Sequence, residues 1–183
     1  MAQSASEVRV AGAGKVWAAP SGSTLPTDST SALDAAFVDM GYVTTDGVTF
    51  TLSRETEDLD AWQGSKVRVL TVAEPMSVEF QLMQTSQDAL KLAFGGGTVT
   101  TATTFHTYEP PAGTNAERVL VIEFTDGAEE YRYVIPRAQV EGDVTFTLTR
   151  EGAVTYPLTF GVLDNTPKFQ IITEDSAMGT GSL

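Results

Sequence analysis

The feature that most constrains this chain is an alternation of apolar and polar residues with period two, which recurs along most of its 183 residues. That period sends successive side chains to opposite faces of an extended strand. Val48, Phe50 and Leu52 alternate with Thr49, Thr51 and Ser53; Val67 and Val69 alternate with Lys66 and Arg68; Val78, Phe80 and Leu82 alternate with Glu79 and Gln81. Val144, Phe146 and Leu148 alternate with Thr145, Thr147 and Thr149, after which Glu151-Gly152 turns the chain into a strand over 154–162. Phe169, Ile171 and Ile172 form a last strand after Pro167. Threonine suits such positions, because its branched carbon packs on the pleat while its hydroxyl tolerates water. Val119 and Val121 oppose Leu120, Ile122 and Phe124, so this strand is expected to be buried on both faces. Asp126-Gly127 then makes a favourable hairpin turn into 131–135. The expected fold is mainly β, a sandwich or barrel with one short α-helix and one long inter-strand loop.

The helix interrupts the strand pattern at 86–94. Ser86 is a good N-cap, Asp88 puts an acid in the first turn, and Leu90, Ala93 and Phe94 share a face. Gly95-Gly96-Gly97 follows, where glycine can take the left-handed conformation that ends helices. A weaker helix is expected over 33–37. Residues 20–31, rich in Ser, Thr and Pro, read as a surface excursion. Residues 55–64 carry Glu55, Glu57, Asp58, Asp60 and Trp62 between two strand-like runs. Hairpin loops usually span about 2–5 residues, so a longer one points to a function or an assembly role. Strands recur at short spacing with no boundary between them, giving a single domain over 1–173 and a loose, glycine-rich tail over 174–183. Residues 48–55 nearly repeat as 144–151, but the flanks do not repeat, which favours convergence on a good amphipathic strand over duplication.

Composition closes several functional classes. The chain has no cysteine, which excludes disulfides, a thiol nucleophile and cysteine-ligated metal. Its single histidine, His106, excludes multi-histidine metal sites. Eleven Lys and Arg against 24 Asp and Glu leave a formal charge of −13, which repels phosphate chains and argues against gripping DNA. The first twenty residues lack the basic start and apolar run of a signal peptide. The most apolar stretch, 119–122, is broken at Glu123, far short of the ~20 residues a spanning helix needs. The protein is therefore expected to begin in the cytoplasm of the cell that makes it, without membrane insertion.

Candidate chemistry is sparse. Gly12-Ala13-Gly14-Lys15 lacks the spacer and the hydroxyl residue of a phosphate loop, and Trp17-Ala18-Ala19-Pro20 is no helix, so a turn before a strand is the better reading. His106 lacks a serine elbow to serve. The acids of 55–60 lack the mid-loop glycine and distal glutamate of a calcium loop, and glycosidase acids come from separate strands around a cleft. A solvated run that meets a partner protein fits them better, with Trp62 as an interface anchor. No catalytic residue, cofactor or metal is expected, and an enzyme reading would rest on His106 or these acids alone. Another structural β-sandwich, such as a capsid decoration protein or surface adhesin module, is the alternative.

The ordered features carry a resemblance. Val16-Trp17-Ala18-Ala19-Pro20, Gly22-Ser23-Thr24-Leu25-Pro26-Thr27, Leu33-Asp34-Ala35-Ala36-Phe37 and Asp39-Met40-Gly41-Tyr42-Val43 follow one another near the start. Ala61-Trp62-Gln63-Gly64, the capped helix at Ser86, Tyr133-Val134-Ile135-Pro136-Arg137 and Thr155-Tyr156-Pro157-Leu158 come after them. In this order they resemble the major tail tube proteins of long-tailed, siphovirus-type phages, closest to those infecting actinobacteria. The resemblance implies a tail-tube β-sandwich that forms hexameric rings stacked into a tube, with strands shared in an inner barrel. It implies an inter-ring contact loop at Arg54, Glu55, Glu57, Asp58, Asp60 and Trp62. Faces that could line the lumen are those of Glu79 and Gln81 and of Thr145, Thr147 and Thr149. No C-terminal immunoglobulin-like domain is expected. The implied partners are further copies of itself, a tape-measure protein inside the growing tube, tail terminator and distal tail proteins at its ends, and genomic DNA that passes without specific binding.

Overall fold

The computed structural model describes residues 7–113 and 115–179. Its strands are β1 (Ala13–Pro20), β2 (Val38–Asp39), β3 (Val43–Leu52), β4 (Glu55–Asp60), β5 (Lys66–Ala73), β6 (Met76–Leu82), β7 (Thr98–Thr101), β8 (His106–Glu109), β9 (Arg118–Asp126), β10 (Glu129–Glu141), β11 (Tyr156–Val162) and β12 (Gln170–Thr173). One helix, α1 (Gln87–Ala93), lies between β6 and β7. The main sheet runs β2-β1-β9-β10-β11-β6-β3, with β12 added to β10, and it does not close into a barrel. Two separate hairpins, β4–β5 and β7–β8, complete the mainly β fold.

Strand β10 divides the main sheet. Asp126 and Glu129 flank a two-residue turn in which Gly127 takes a φ of 65°, so β10 returns antiparallel along β9. Pro136 has no N–H to give the ladder, and the register with β9 slips between Ile135 and Ala138. Before this bulge β10 pairs with β9 and β12; from Ala138 onward it pairs with β11. The sheet thereby folds over a core in which Val16, Leu120 and Ile122 of one half pack with Val78, Phe80, Leu82, Leu158 and Phe160 of the other. Phe50 on β3 meets Tyr133 on β10 with 5.3 Å between ring centroids. Helix α1 is capped as the sequence predicts, with Ser86 Oγ accepting from the Ala89 N–H at 3.1 Å. Ala89, Leu92 and Ala93 are its most buried residues, with Leu90 and Phe94 half-buried beside them.

The double burial of β9 accounts for one departure from the expected layout. Val119, Val121 and Val134 face away from the main core and are covered by Leu25, Leu33 and Phe37. Residues 20–31 are therefore no free surface excursion. Arg132, only 4% exposed, donates to the carbonyls of Asp28 at 2.8 Å and Ser31 at 3.0 Å and to Glu123 Oε1 at 2.7 Å. Glu123 Oε2 also accepts from the Trp17 indole at 2.7 Å.

Three further expectations need correction. Residues 33–37 form a turn, because Asp34 Oδ1 takes the Ala36 N–H and a single backbone bond, Phe37 to Asp34, cannot nucleate a helix. The loop at 55–64 is a β-hairpin, since β4 pairs with β5 from Glu55 to Asp60. Residues 144–149 are not a strand: the connection from β10 to β11 leaves Phe146 42% and Leu148 73% exposed. Its counterpart in the near-repeat, 48–52, does form a strand, against β6, so the two copies of the pattern have different partners.

Asp175, within the stretch expected as a loose tail, is 5% exposed. It accepts from the Tyr131 hydroxyl, from the Ala177 N–H at 2.9 Å and from Arg9 Nε at 2.8 Å. Residues 180–183 of that stretch lie outside the described residues.

Two expectations follow for stability. Arg132→Met removes the clamp and leaves Glu123 without its cation, so urea denaturation should show a loss of about 3 kcal/mol, with no change in far-ultraviolet dichroism at pH 7. The Tyr131 hydroxyl, the Ala177 N–H and Arg9 together hold the Asp175 carboxyl down from 3.8 to about 2. A depressed carboxyl pKa gives stability that is full above 3.8 and is lost as pH falls toward 2. Thermal melts of Asp175→Asn should therefore lie below wild type at pH 7 and converge with it near pH 2, whereas a constant difference across that range would contradict the assignment.

Candidate assembly surfaces

The β4–β5 hairpin stands apart from the core. Every residue of β4 is exposed, as is every residue of β5 except Ala73. Six residues of β4 extend it by about 20 Å. At its base Arg54 Nε meets Glu74 Oε1 at 3.0 Å, and midway Lys66 Nζ meets Asp58 Oδ2 at 2.5 Å. Ala61 N–H donates to the Ser65 carbonyl and Gly64 N–H to the Ala61 carbonyl, both at 2.8 Å. With Gly64 at a φ of 81°, this is a three-residue hairpin loop whose left-handed position only glycine fills without strain. The loop carries Trp62 at the tip, 99% exposed. Glu57 and Leu59 share one hairpin face with Leu70 and Arg68, while Thr56 and Asp58 share the other with Thr71 and Val69. Both faces expose apolar side chains, and an isolated two-stranded hairpin is only marginally stable in water.

A second surface lies on the outer face of the folded-over half-sheet. Pairing registers align Thr49, Glu79, Thr159 and Glu141 in one row across β3, β6, β11 and β10, and Thr51, Ser77, Gly161 and Gln139 in the next. Glu79 and Gln81 share this face, opposite the buried Val78, Phe80 and Leu82. Residues between Val43 and Val48 loop out of the β3 register and bring Asp46 beside it. Asp46, Glu79 and Asp143 line one shallow depression, which contains no lysine or arginine. The two rows named hold no lysine or arginine. Thr159, Glu141 and Ser77 were not singled out from sequence; the alternation within each strand was visible, but the order in which the strands meet was not. Thr145, Thr147 and Thr149 are exposed, on the connection that has no strand partner.

The remaining candidates have structural roles. His106 Nδ1 lies 3.0 Å from Thr101 Oγ1 across the exposed β7–β8 hairpin. The run at 12–15 is not the turn expected before a strand: Ala13, Gly14 and Lys15 already pair with Thr125, Phe124 and Glu123 as the start of β1, and Lys15 Nζ sits 5.5 Å from the centre of the Trp17 ring. Among the described residues no group of three or more His, Cys, Asp or Glu could hold a metal ion, and no helix is long and apolar enough to cross a membrane.

Comparison with known proteins adds the following. The sequence model of a family described as "Phage tail tube protein" matches residues 1–181. Sequence comparison with curated proteins gives no match. Among solved structures, the chain is similar to one from "Virion of native gene transfer agent (GTA) particle", at 10% identity and a TM-score of 0.43, covering 94% of this chain and 98% of that one. A chain from "Tail of empty GTA particle computed with helical refinement, C6 symmetry" shows 12% identity and a TM-score of 0.41, covering 90% and 96%. A chain from an extracellular contractile injection system, the "PVC sheath-tube complex in extended state", shows 9% identity and a TM-score of 0.44, covering 94% and 99%. At TM-scores below 0.5 these likenesses carry no weight, and the assignment rests on the family match. That match spans nearly the whole chain, which belongs to the phage tail tube protein family and is a structural tail protein, not an enzyme.

Proposed function

We propose that this protein polymerises as stacked hexameric rings into the tail tube of a siphovirus-type phage infecting an actinobacterium, and that the tube is a negatively charged conduit for DNA ejection. The observation that carries the reading is the acidic and neutral face built from Thr49, Glu79, Thr159 and Glu141, on a chain with a charge of −13. A bore lined by that face repels phosphate at distances up to a Debye length of about 8 Å, so DNA slides without being held. Glu79 and Gln81 belong to the lumen in this reading; Thr145, Thr147 and Thr149 reach it only if 144–149 pairs as a strand on assembly. The β4–β5 hairpin, with Arg54, Glu55, Glu57, Asp58, Asp60 and Trp62, makes the contact between rings. The edges at β2 and β3 pair with neighbouring copies, which removes the hazard of free strand edges. A tape-measure protein occupies the bore during growth, terminator and distal tail proteins bind its ends, and subunits wait in the host cytoplasm until they assemble.

Electron microscopy of concentrated protein tests the assembly, with sixfold rings and tubes expected and persistent monodisperse monomers counting against it. The conduit claim has its own test. Tubes carrying Glu79→Lys with Glu141→Lys should retain double-stranded DNA in a salt-sensitive manner, whereas wild-type tubes should retain none. Equal retention by both would remove Glu79 and Glu141 from the bore.

A further inference from the structure

The exposed hairpin tip needs a seat, and the same chain carries a surface of matching chemistry. A groove of about 420 Å3 lies between α1 and the β1–β2 edge. Ala18, Met40 and Leu92 make its buried floor, Ala19 borders it, and Val38 stands 40% exposed at its rim. The small Ala18 side chain leaves an apolar hollow that suits a flat aromatic ring. Gly96 and Gly97 form one wall without side chains. At Gly97 a φ of 104° and a Cβ that would sit 2.6 Å from the Glu109 carbonyl oxygen on β8 reserve the position for glycine.

Charge singles this hollow out. Lys91 and Arg118 line it against one acid, Asp88. Four other hollows on the surface hold at least as many acids as cations, in keeping with the charge of −13. Among the described residues, neither Lys91 nor Arg118 takes part in an ion pair. On the hairpin, Lys66 neutralises Asp58, while Glu57 and Asp60 have no cationic partner among the described residues. Trp62 is 99% exposed, so it occupies no seat on its own chain.

We propose that the hairpin tip of one copy docks in the α1/β1–β2 groove of a second copy, with Trp62 on the alanine floor and Glu57 and Asp60 facing Lys91 and Arg118. This rests on the tube-assembly reading and gives the hairpin a receptor. The two surfaces differ, so the contact is heterologous: every copy offers one arm and one seat, and the series continues from copy to copy. A desolvated tryptophan framed by charge pairs is the composition of an interface hot spot.

The absence of cysteine makes the test clean. In assembled tubes, Gln63→Cys combined with Val38→Cys should give a ladder of covalent multimers with a short bis-maleimide, and Gln63→Cys combined with Thr49→Cys should give none. Separately, Lys91→Glu with Arg118→Glu should cut tube yield by about tenfold at low salt while leaving the dichroism spectrum of the monomer unchanged. Adding Glu57→Lys with Asp60→Lys should restore the yield. Tubes that form without the Gln63–Val38 ladder, a link confined to single chains, or charge reversal without effect on yield would each overturn the docking and leave the tube reading intact. Failure of the unsubstituted chain to form rings or tubes would overturn the tube reading, and the docking with it.

Discussion

Strand β9 is apolar on both faces, and the rest of the architecture answers to that. One face must be covered by a second layer of sheet, which β10 supplies by carrying the chain past Pro136 and handing it to β11. The other face has no sheet available, so residues 20–37 are drawn over it and held by the Arg132 guanidinium. An arginine buried this deeply is tolerated because its donors meet a carboxylate and two carbonyls at once. Glu123 is shared between Arg132 and the Trp17 indole, so β1, β9, β10 and the covering segment are joined through one carboxylate.

With β9 satisfied inside the subunit, the outer surfaces are released for other work. The half-sheet that closes the core turns apolar residues inward and leaves Thr49, Glu79, Thr159 and Glu141 in a row outside. The β4–β5 hairpin contributes nothing to the core and leaves apolar residues on both faces in water. Such an arm is costly for an isolated monomer and reasonable for a subunit that is completed by its neighbours.

Much of this was legible in the sequence because period two is a local signal. The double-faced run at 119–124, the Asp126-Gly127 turn and the Ser86 cap each depend on residues close in the chain, and each stands as the pattern indicates. The failures are equally instructive. Residues 144–149 alternate as well as 48–52 do, yet only the latter has a neighbouring strand, because alternation shows that a segment can pair and says nothing of what it pairs with. Glu55, Glu57, Asp58 and Asp60 conceal a strand, since four acids in six residues look like solvated loop when the partner, Lys66–Ala73, is not considered. The acidic row and the Lys91–Arg118 groove were invisible for the same reason: each draws its residues from elements distant in sequence.

A tube that lets DNA pass and a tube that holds together place opposite demands on charge. On the proposed reading the bore calls for acids, while copies carrying −13 each repel one another as they approach. Screening at physiological salt confines that repulsion to about 8 Å, so the conflict becomes acute at the contacts themselves. A uniform distribution of the eleven cations would weaken the bore without securing any contact. The described structure segregates them instead. Arg132, Arg137 and Arg9 are spent within the fold against Glu123, Glu117 and Asp175. Among the described residues Lys15, Arg68, Lys91, Arg118 and Arg150 form no ion pair; of these, Lys91 and Arg118 lie together beside an apolar hollow, while the row of Thr49, Glu79, Thr159 and Glu141 contains no cation. Under the proposed docking, attraction is concentrated where Lys91 and Arg118 flank that hollow, so that the sign of the local charge, and not the net charge, decides where the arm of one copy meets another.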